Sequence, residues 1–307
     1  MKKVLVATEK PFAAKAVKAI REDVENAGYE LVLLEKYTDK EQLISAVANV
    51  DAMIIRSDIA DKAVLDAAKN LKIIVRAGAG YDNIDLAAAT ANKVVAMNTP
   101  GQNSNAVAEL AIGMMIYMAR NKYDGKAGTE LREKTLGIHA FGNVGKLIGS
   151  IAKGIGMEVY AFDPFIKKED IIAGGATPVD SVEELYKKCQ YISLNIPATD
   201  QTKKSIGYKI LSTMPENAVL VNTARKEVID EEGLLKMFEL RPDFKYISDI
   251  APDCIADIES KYPNRYFFTP KKMGAQTSEA NINAGIAAAR QIVDFFKKGV
   301  TTFQVNK

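Results

Sequence analysis

Gly142 and Gly145, in the segment LGIHAFGNVGKLIG, stand where a strand-like run turns into a helical pattern, and the next strand-like run ends on Asp163, 18 residues past Gly145. That order gives a glycine loop chemical meaning. Gly142 would let the backbone approach a pyrophosphate, and Gly145 would let the helix pack closely on the sheet. The first-turn amides of that helix, with its dipole, favour a bound anion. Asp163 is placed to accept hydrogen bonds from the hydroxyls of an adenosine ribose. Its charge would repel a 2′-phosphate and so favours NAD over NADP, while Lys167 and Lys168 just downstream pull the other way. The pattern departs at Ala140, which occupies the place of the first glycine. A tight strand-to-helix turn with no ligand is the plain alternative.

Other residues narrow the chemistry by exclusion. One histidine, His139, and two cysteines, Cys189 and Cys254, are too few for a zinc site of nitrogen and sulfur ligands, so no metal is expected. The cysteines form no CxxC pair, which suits a reducing, cytoplasmic setting. Lys and Arg total 41 against 39 Asp and Glu, a balance that offers no footprint for nucleic acid or a membrane surface. The opening MKKVLVATEK reads as a first strand and not as a signal peptide, and no apolar stretch is long enough to span a bilayer.

The elements that must position these residues alternate in type. Strand candidates lie at Val4–Thr8, Leu31–Leu34, Ala52–Arg56, Lys72–Arg76 and Val94–Met97, with helical patterns such as Phe12–Ala27 and Lys62–Ala68 between them. After a loop at 98–103, NAVAELAIGMMIYMAR predicts a long helix with Val107, Leu110, Ala111, Met114, Met115 and Met118 on one stripe. Each methionine reads as core, but the breadth of the apolar face also suits a subunit contact and predicts a homodimer. A second series has strands at Leu136–Ala140, Val159–Asp163, Tyr191–Asn195, Val219–Asn222, Tyr246–Ile250 and Phe267–Thr269. A last helix, Glu279–Lys298, is expected to start after Ser278 as N-cap and stop at Gly299. Alternation of this kind gives an α/β protein of two doubly wound parallel-sheet domains.

Six segments, in order across nearly the whole chain, resemble the D-2-hydroxyacid dehydrogenase family: RAGAGYDNID at 76–85, NTPGQNSNAVAE at 98–109, HAFGNVG at 139–145, IPATDQTKKSI at 196–206, NTARKEVIDEEGL at 222–234 and GAQT at 274–277. The resemblance implies a Rossmann coenzyme domain, 101–277, inserted into a flavodoxin-like substrate-binding domain, 1–100 and 278–307, with the active site in the cleft between them. It implies NAD as cofactor, held by Gly142, Asn143, Val144, Gly145, Asp163, Pro197, Thr202, Thr223, Ala224, Asp249 and Gly274. It also implies a substrate site of Arg56, Ser57, Arg76, Gly78, Ala79, Gly80 and Asn103. Arg225 matches the family arginine, whose planar fork suits a carboxylate and the neighbouring carbonyl oxygen. The AGAG glycines would let backbone amides converge on the same carboxylate. Members acting on phosphoglycerate share RS and RAG at 56–57 and 76–78, so the expected substrate is a small phosphorylated 2-hydroxy acid with its phosphate on Arg56 and Arg76. Longer relatives carry a C-terminal regulatory domain, which the resemblance leads one to expect is absent here.

The sequence breaks the family pattern where the proton is moved. Lys272 stands at the position of the usual catalytic histidine, and Cys254 at that of its glutamate partner. His139 belongs to the pyrophosphate end and reads as an ordinary strand-end residue. A lysine starts near pKa 10.4 and needs a downward push to act as a base, which cationic neighbours Arg225 and Lys271 would supply. Lys272 is then the expected acid/base, a plain anion-binding cation being the alternative. Two further readings stay open: a glyoxylate or hydroxypyruvate reductase, and a non-catalytic, coenzyme-sensing protein like the corepressors that share this fold.

Overall fold

The computed structural model describes the whole chain, Met1–Lys307. It divides into two compact units, Met1–Asn103 with Ala275–Lys307, and Ser104–Gly274. Each is built on one parallel sheet, of five and of seven strands. No helix is long and apolar enough to cross a membrane.

The first unit runs β1 (Lys3–Thr8), α1 (Ala14–Asn26), β2 (Glu30–Glu35), α2 (Lys40–Val47), β3 (Ala52–Ile55), α3 (Lys62–Ala67), β4 (Ile73–Arg76), α4 (Leu86–Ala91) and β5 (Val95–Asn98). Its sheet order is β2-β1-β3-β4-β5, so the winding reverses between β1 and β3. Val4 to Ala7 are all fully buried because both faces of β1 are covered. Val4 and Val6 pack with α1 and the last helix, while Leu5 and Ala7 pack with α2, α3 and α4. A strand covered on both faces reads as an unbroken apolar run instead of an alternating one.

The second unit runs α5 (Ser104–Ala119), β6 (Thr135–His139), α6 (Asn143–Gly154), β7 (Glu158–Phe162), α7 (Lys168–Ala173), β8 (Thr177–Pro178), α8 (Val182–Lys188), β9 (Tyr191–Leu194), α9 (Tyr208–Leu211), β10 (Val219–Asn222), α10 (Glu231–Leu240), β11 (Lys245–Ser248), α11 (Ile255–Lys261) and β12 (Tyr266–Phe268). Helix α12 (Ser278–Lys298) returns the chain to the first unit. The order β12-β11-β10-β9-β6-β7-β8 reverses between β6 and β9. In parallel sheets of this kind, ligands bind outside the carboxyl ends of the strands at such reversals.

Several boundaries differ from the sequence expectation. Strands β3, β6, β7, β9 and β11 stop one or two residues early, because Arg56, Ala140, Asp163, Asn195 and Asp249–Ile250 leave the ladder at the carboxyl edge. The two-residue edge strand β8 escaped notice, being too short to show a pattern. The cap of α12 is Thr277, not Ser278: its side chain accepts from Ala280 N at 3.1 Å. Gly299 ends the helix in the left-handed region at φ 68°. Met114, Met115 and Met118 are buried by their own unit, so they do not supply the free apolar surface expected of a subunit contact.

Candidate active site

Strand register aligns five residues along the carboxyl edge of the seven-stranded sheet. His139 pairs with Phe162 and with Leu194, Leu194 pairs with Asn222, and Asn222 pairs with Ser248. The next residues on these strands therefore form one row across the sheet: Asp163, Ala140, Asn195, Thr223, Asp249. Three of them present a buried side-chain oxygen with no hydrogen-bond partner, Asn195 Oδ1, Thr223 Oγ1 and Asp249 Oδ1. Leaving such a group unsatisfied costs about 1–3 kcal/mol. Three side by side, running outward from the reversal between β6 and β9, define a surface suited to a ligand that brings its own polar groups.

The glycine loop crosses the middle of this row. Ala140 holds φ at 76°, a conformation glycine adopts freely and alanine does not. Behind Gly142, helix α6 opens with no side-chain cap, so the amides of Asn143, Val144 and Gly145 have no acceptor one turn back. A Cβ on Gly142 would meet no atom within 4 Å, but one on Gly145 would lie 2.4 Å from Ala140 O. Gly142 thus gives open approach, and Gly145 permits the close turn. Asp163 does more than the sequence suggests. Its Oδ2 accepts from Phe141 N and its Oδ1 from Phe165 N, both at 2.8 Å. The carboxylate clamps the loop, and each oxygen keeps a lone pair for a hydroxyl donor. Open glycine, free amides, clamped acid and orphaned oxygens together fit a dinucleotide.

Lys272 lies at the other end of the row, in the loop after β12. Its ammonium donates to Ala224 O, and Arg225 Nη1 donates to the same carbonyl at 3.0 Å. Asn222, fully buried, fixes the backbone beneath them: its Oδ1 accepts from Ala224 N, and its Nδ2 donates to Arg225 O, each at 3.0 Å. That amide also donates to Tyr246 Oη at 3.2 Å. The Thr269 hydroxyl lies 2.8 Å from the carbonyls of both Asp249 and Lys271, tying the lysine loop to the row. Asp249 Oδ2 accepts from Gly274 N at 2.9 Å, and its Oδ1 is 3.8 Å from Lys272 Nζ. A Cβ on Gly274 would crowd Asp249 Oδ2 at 2.9 Å.

These contacts set the charges. Burial pushes the Lys272 ammonium below its ordinary pKa; Asp249 and Glu227 oppose that push, and Arg225 adds to it. Lys271, expected to contribute, takes no part. Burial likewise raises the Asp249 carboxyl, with Lys272, the amides of Gly274 and Met273, and Arg225 holding it back. The pair is an ammonium made easier to discharge beside a carboxyl made harder to ionise.

In the first unit, Arg56 is more committed than expected. Its guanidinium donates to Lys10 O at 3.0 Å and Asn281 Oδ1 at 2.6 Å, and its Cζ lies 5.1 Å from the centre of the Phe12 ring. Arg76 Nε donates to Arg56 O at 3.1 Å. The Arg76 guanidinium lies over Gly78, 1.3 Å from where a Cβ would fall, and the φ of 155° there favours glycine. Gly78 N itself donates to Arg76 O at 2.9 Å, so that amide is not turned outward as expected. Ser57 is exposed, and Asn98 Nδ2 holds the carbonyl of Ala79 at 2.6 Å, next to Gly80. Asp58 escaped the sequence reading. Buried, it accepts from Glu9 N, Tyr37 Oη and Arg56 N, and so shapes the loop that carries Arg56 and Ser57.

The remaining expected residues are placed simply. Thr202 accepts from Thr199 N at 2.7 Å and donates to Pro197 O, closing an exposed turn after β9. Asn103 ends the amino-terminal segment of the first unit. His139 packs on Tyr186, and burial drops its pKa to about 4, so it stays neutral and structural. The Cys254 thiol is pushed up to about 12, mainly by burial and then by Glu231, so it is no base. Glu231 is the carboxylate that does reach this stretch, accepting from Asp253 N at 2.7 Å and Cys254 N at 2.8 Å. No group of histidines, cysteines and acids is arranged to hold a metal ion.

Residues 4–306 match the D-isomer specific 2-hydroxyacid dehydrogenase catalytic domain, and the chain belongs to that family. A solved structure of NAD+-bound 3-phosphoglycerate dehydrogenase from Entamoeba histolytica is 50% identical, covers 100% of this chain and 99% of its own, and superposes with a TM-score of 0.87. The D-3-phosphoglycerate dehydrogenase of Methanocaldococcus jannaschii is 35% identical over 82% of this chain and 51% of its own length. A glyoxylate reductase from Thermococcus litoralis is 32% identical over 86% of each. The chain spans about half the length of curated phosphoglycerate dehydrogenases that it matches.

Proposed function

We propose that this protein is an NAD-dependent dehydrogenase that oxidises 3-phospho-D-glycerate to 3-phosphohydroxypyruvate, the step that would feed serine synthesis. The observation that carries the reading is the row from Asp163 to Asp249, which ends on Lys272 and Arg225. It is supported by the Entamoeba relative, an NAD+-bound 3-phosphoglycerate dehydrogenase half identical in sequence. Asp163 and the α6 amides hold the adenosine and pyrophosphate, and Asn195, Thr223 and Asp249 meet the nicotinamide half. A bound nicotinamide would supply the acceptor for the hydride leaving C2 of the hydroxy acid. Arg225 orients the substrate carboxylate and C2 oxygen with its remaining donors. Neutral Lys272 takes the hydroxyl proton in oxidation, and charged Lys272 returns it in reduction. Arg76, with Arg56, faces the phosphate. The partly covered Leu110 and Ile116 of α5 are the apolar residues left to a homodimer contact.

One observation favours a second reading. Arg56 already serves Lys10, Pro11 and Asn281, which leaves it fewer donors for a phosphate and suits a reductase of a small unphosphorylated 2-oxo acid such as glyoxylate. An NADH-formation assay with 3-phosphoglycerate, run against a panel of unphosphorylated D-2-hydroxy acids, decides between them. Preference for an unphosphorylated acid would replace the first reading with the second. Coenzyme binding without turnover of any acid would favour a coenzyme-sensing role instead.

A further inference from the structure

The seven-stranded sheet has a second polar edge. Leu136, Tyr191, Val219 and Lys245 are aligned by register at the amino ends of β6, β9, β10 and β11, opposite the row that carries Asp249. A cavity of about 200 Å³ opens there, walled by Met118 and Ala119 at the end of α5 and lined with polar groups from Thr129, Lys134, Gln190, Asn217 and Lys245. Two lysines face it and no carboxylate does.

Neither lysine meets a counter-charge within the cavity. Most of the charged side chains in the structure that make an ion pair do so with a neighbour on the surface, as Lys168 does with Asp180 and Lys298 with Asp294. Lys134 and Lys245 make no ion pair, no side-chain hydrogen bond and no contact with a ring face. Asp243, two residues before Lys245, is taken: Arg241 donates to both its oxygens at 3.0 and 2.8 Å, and Asn217 N donates at 2.6 Å. Lys245 is half-buried, and burial alone lowers its pKa, with no acid near enough to raise it. A cation held partly out of water without an anion is a cost, and a bound anion removes it.

We propose that this cavity is an anion site that takes a phosphate group, either free phosphate or the phosphate end of a small metabolite. Two lysines call for two negative charges, which a phosphate dianion carries and a single carboxylate does not. Lysine binds phosphate as a point charge; the side chains of Asn217 and Thr129, and the Gln190 amide hydrogen not given to Asn217 O, suit its remaining oxygens. The space equals about seven water volumes at about 30 Å³ each, enough for a phosphate and a short carbon chain. The site is independent of the substrate phosphate assigned to Arg56 and Arg76, which belong to the other unit.

Thermal unfolding with saturating NAD, titrated with inorganic phosphate or glycerol phosphate against sodium chloride of equal ionic strength, tests the assignment. Binding at ten times the dissociation constant should raise Tm by about 3 °C. The rise should persist in Arg76→Ala, which removes the proposed substrate contact, and in Lys245→Arg, which keeps the charge. It should vanish in Lys134→Gln/Lys245→Gln. A full rise in that double variant, its loss in Arg76→Ala, or no rise beyond the chloride control in the parent protein would overturn the proposal.

Discussion

Asp249 Oδ1 lies 3.8 Å from Lys272 Nζ, with the acid wholly buried and the lysine side chain 41% exposed. The contact is too long for a hydrogen bond, and Asp249 Oδ1 has no other partner. Asp249 is therefore the main brake on a lysine pKa that burial and Arg225 both push down. Removing the carboxylate should release the brake. In Asp249→Asn the Lys272 pKa falls further, so the rising limb of oxidation rate against pH moves to lower pH, while the falling limb of reduction moves with it. A limb that stays in place in kcat/KM profiles would show that Asp249 does not set the lysine's charge.

Ala140 sits in the left-handed region at φ 76°, where the fingerprint has glycine. Ala140→Gly should stabilise the second unit by about 1 kcal/mol, since glycine adopts that backbone without a Cβ clash. Chemical denaturation reads the effect. Gly145→Ala should do the reverse and weaken NAD binding, because its Cβ would press 2.4 Å from Ala140 O. A neutral or destabilising Ala140→Gly would mean that the loop's strain is held elsewhere.

Part of this site was legible from types and order alone. The glycine loop and Asp163, just after β7, were legible from the order of strand, loop and helix, whereas Arg225 and Lys272 were legible only through the family resemblance. Asn195 and Asp58 were not legible. Asn195 matters through the register of its neighbour Leu194 with His139 on β6 and Asn222 on β10, a relation between strands far apart in the chain. Asp58 matters through three donors, Glu9 N just after β1, Arg56 N just after β3, and Tyr37 Oη. The occupation of Arg56 was hidden for the same reason, since Asn281 comes from the chain's last helix.

Arg56 and Arg76 should now behave differently. Arg56→Ala removes donors from Lys10 O and Asn281 Oδ1 and the stack on Phe12, so it should destabilise the first unit by about 1–3 kcal/mol in addition to raising KM for 3-phosphoglycerate. Arg76→Ala should raise KM for 3-phosphoglycerate more than for an unphosphorylated hydroxy acid. Equal losses on both substrates in Arg76→Ala would remove the phosphate assignment.

Coenzyme choice follows from Asp163, whose carboxylate is clamped by the amides of Phe141 and Phe165 and cannot swing away from a 2′-phosphate. NAD should be preferred in kcat/KM. Asp163→Ser should narrow that preference mainly by improving KM for NADP. Equal use of the two coenzymes by the parent protein would contradict the role given to Asp163.

The proton-transfer role of Lys272 is tested most directly by Lys272→Ala, assayed for oxidation across pH together with NAD binding. Loss of a positioned acid/base costs a factor of about 10²–10⁴ in rate. The account predicts a fall of that order in kcat, near-unchanged NAD affinity, and disappearance of the rising limb that reports neutral lysine. A variant that keeps kcat and its pH limb and changes only KM would contradict it, and would make Lys272 a cation that holds the substrate without moving its proton.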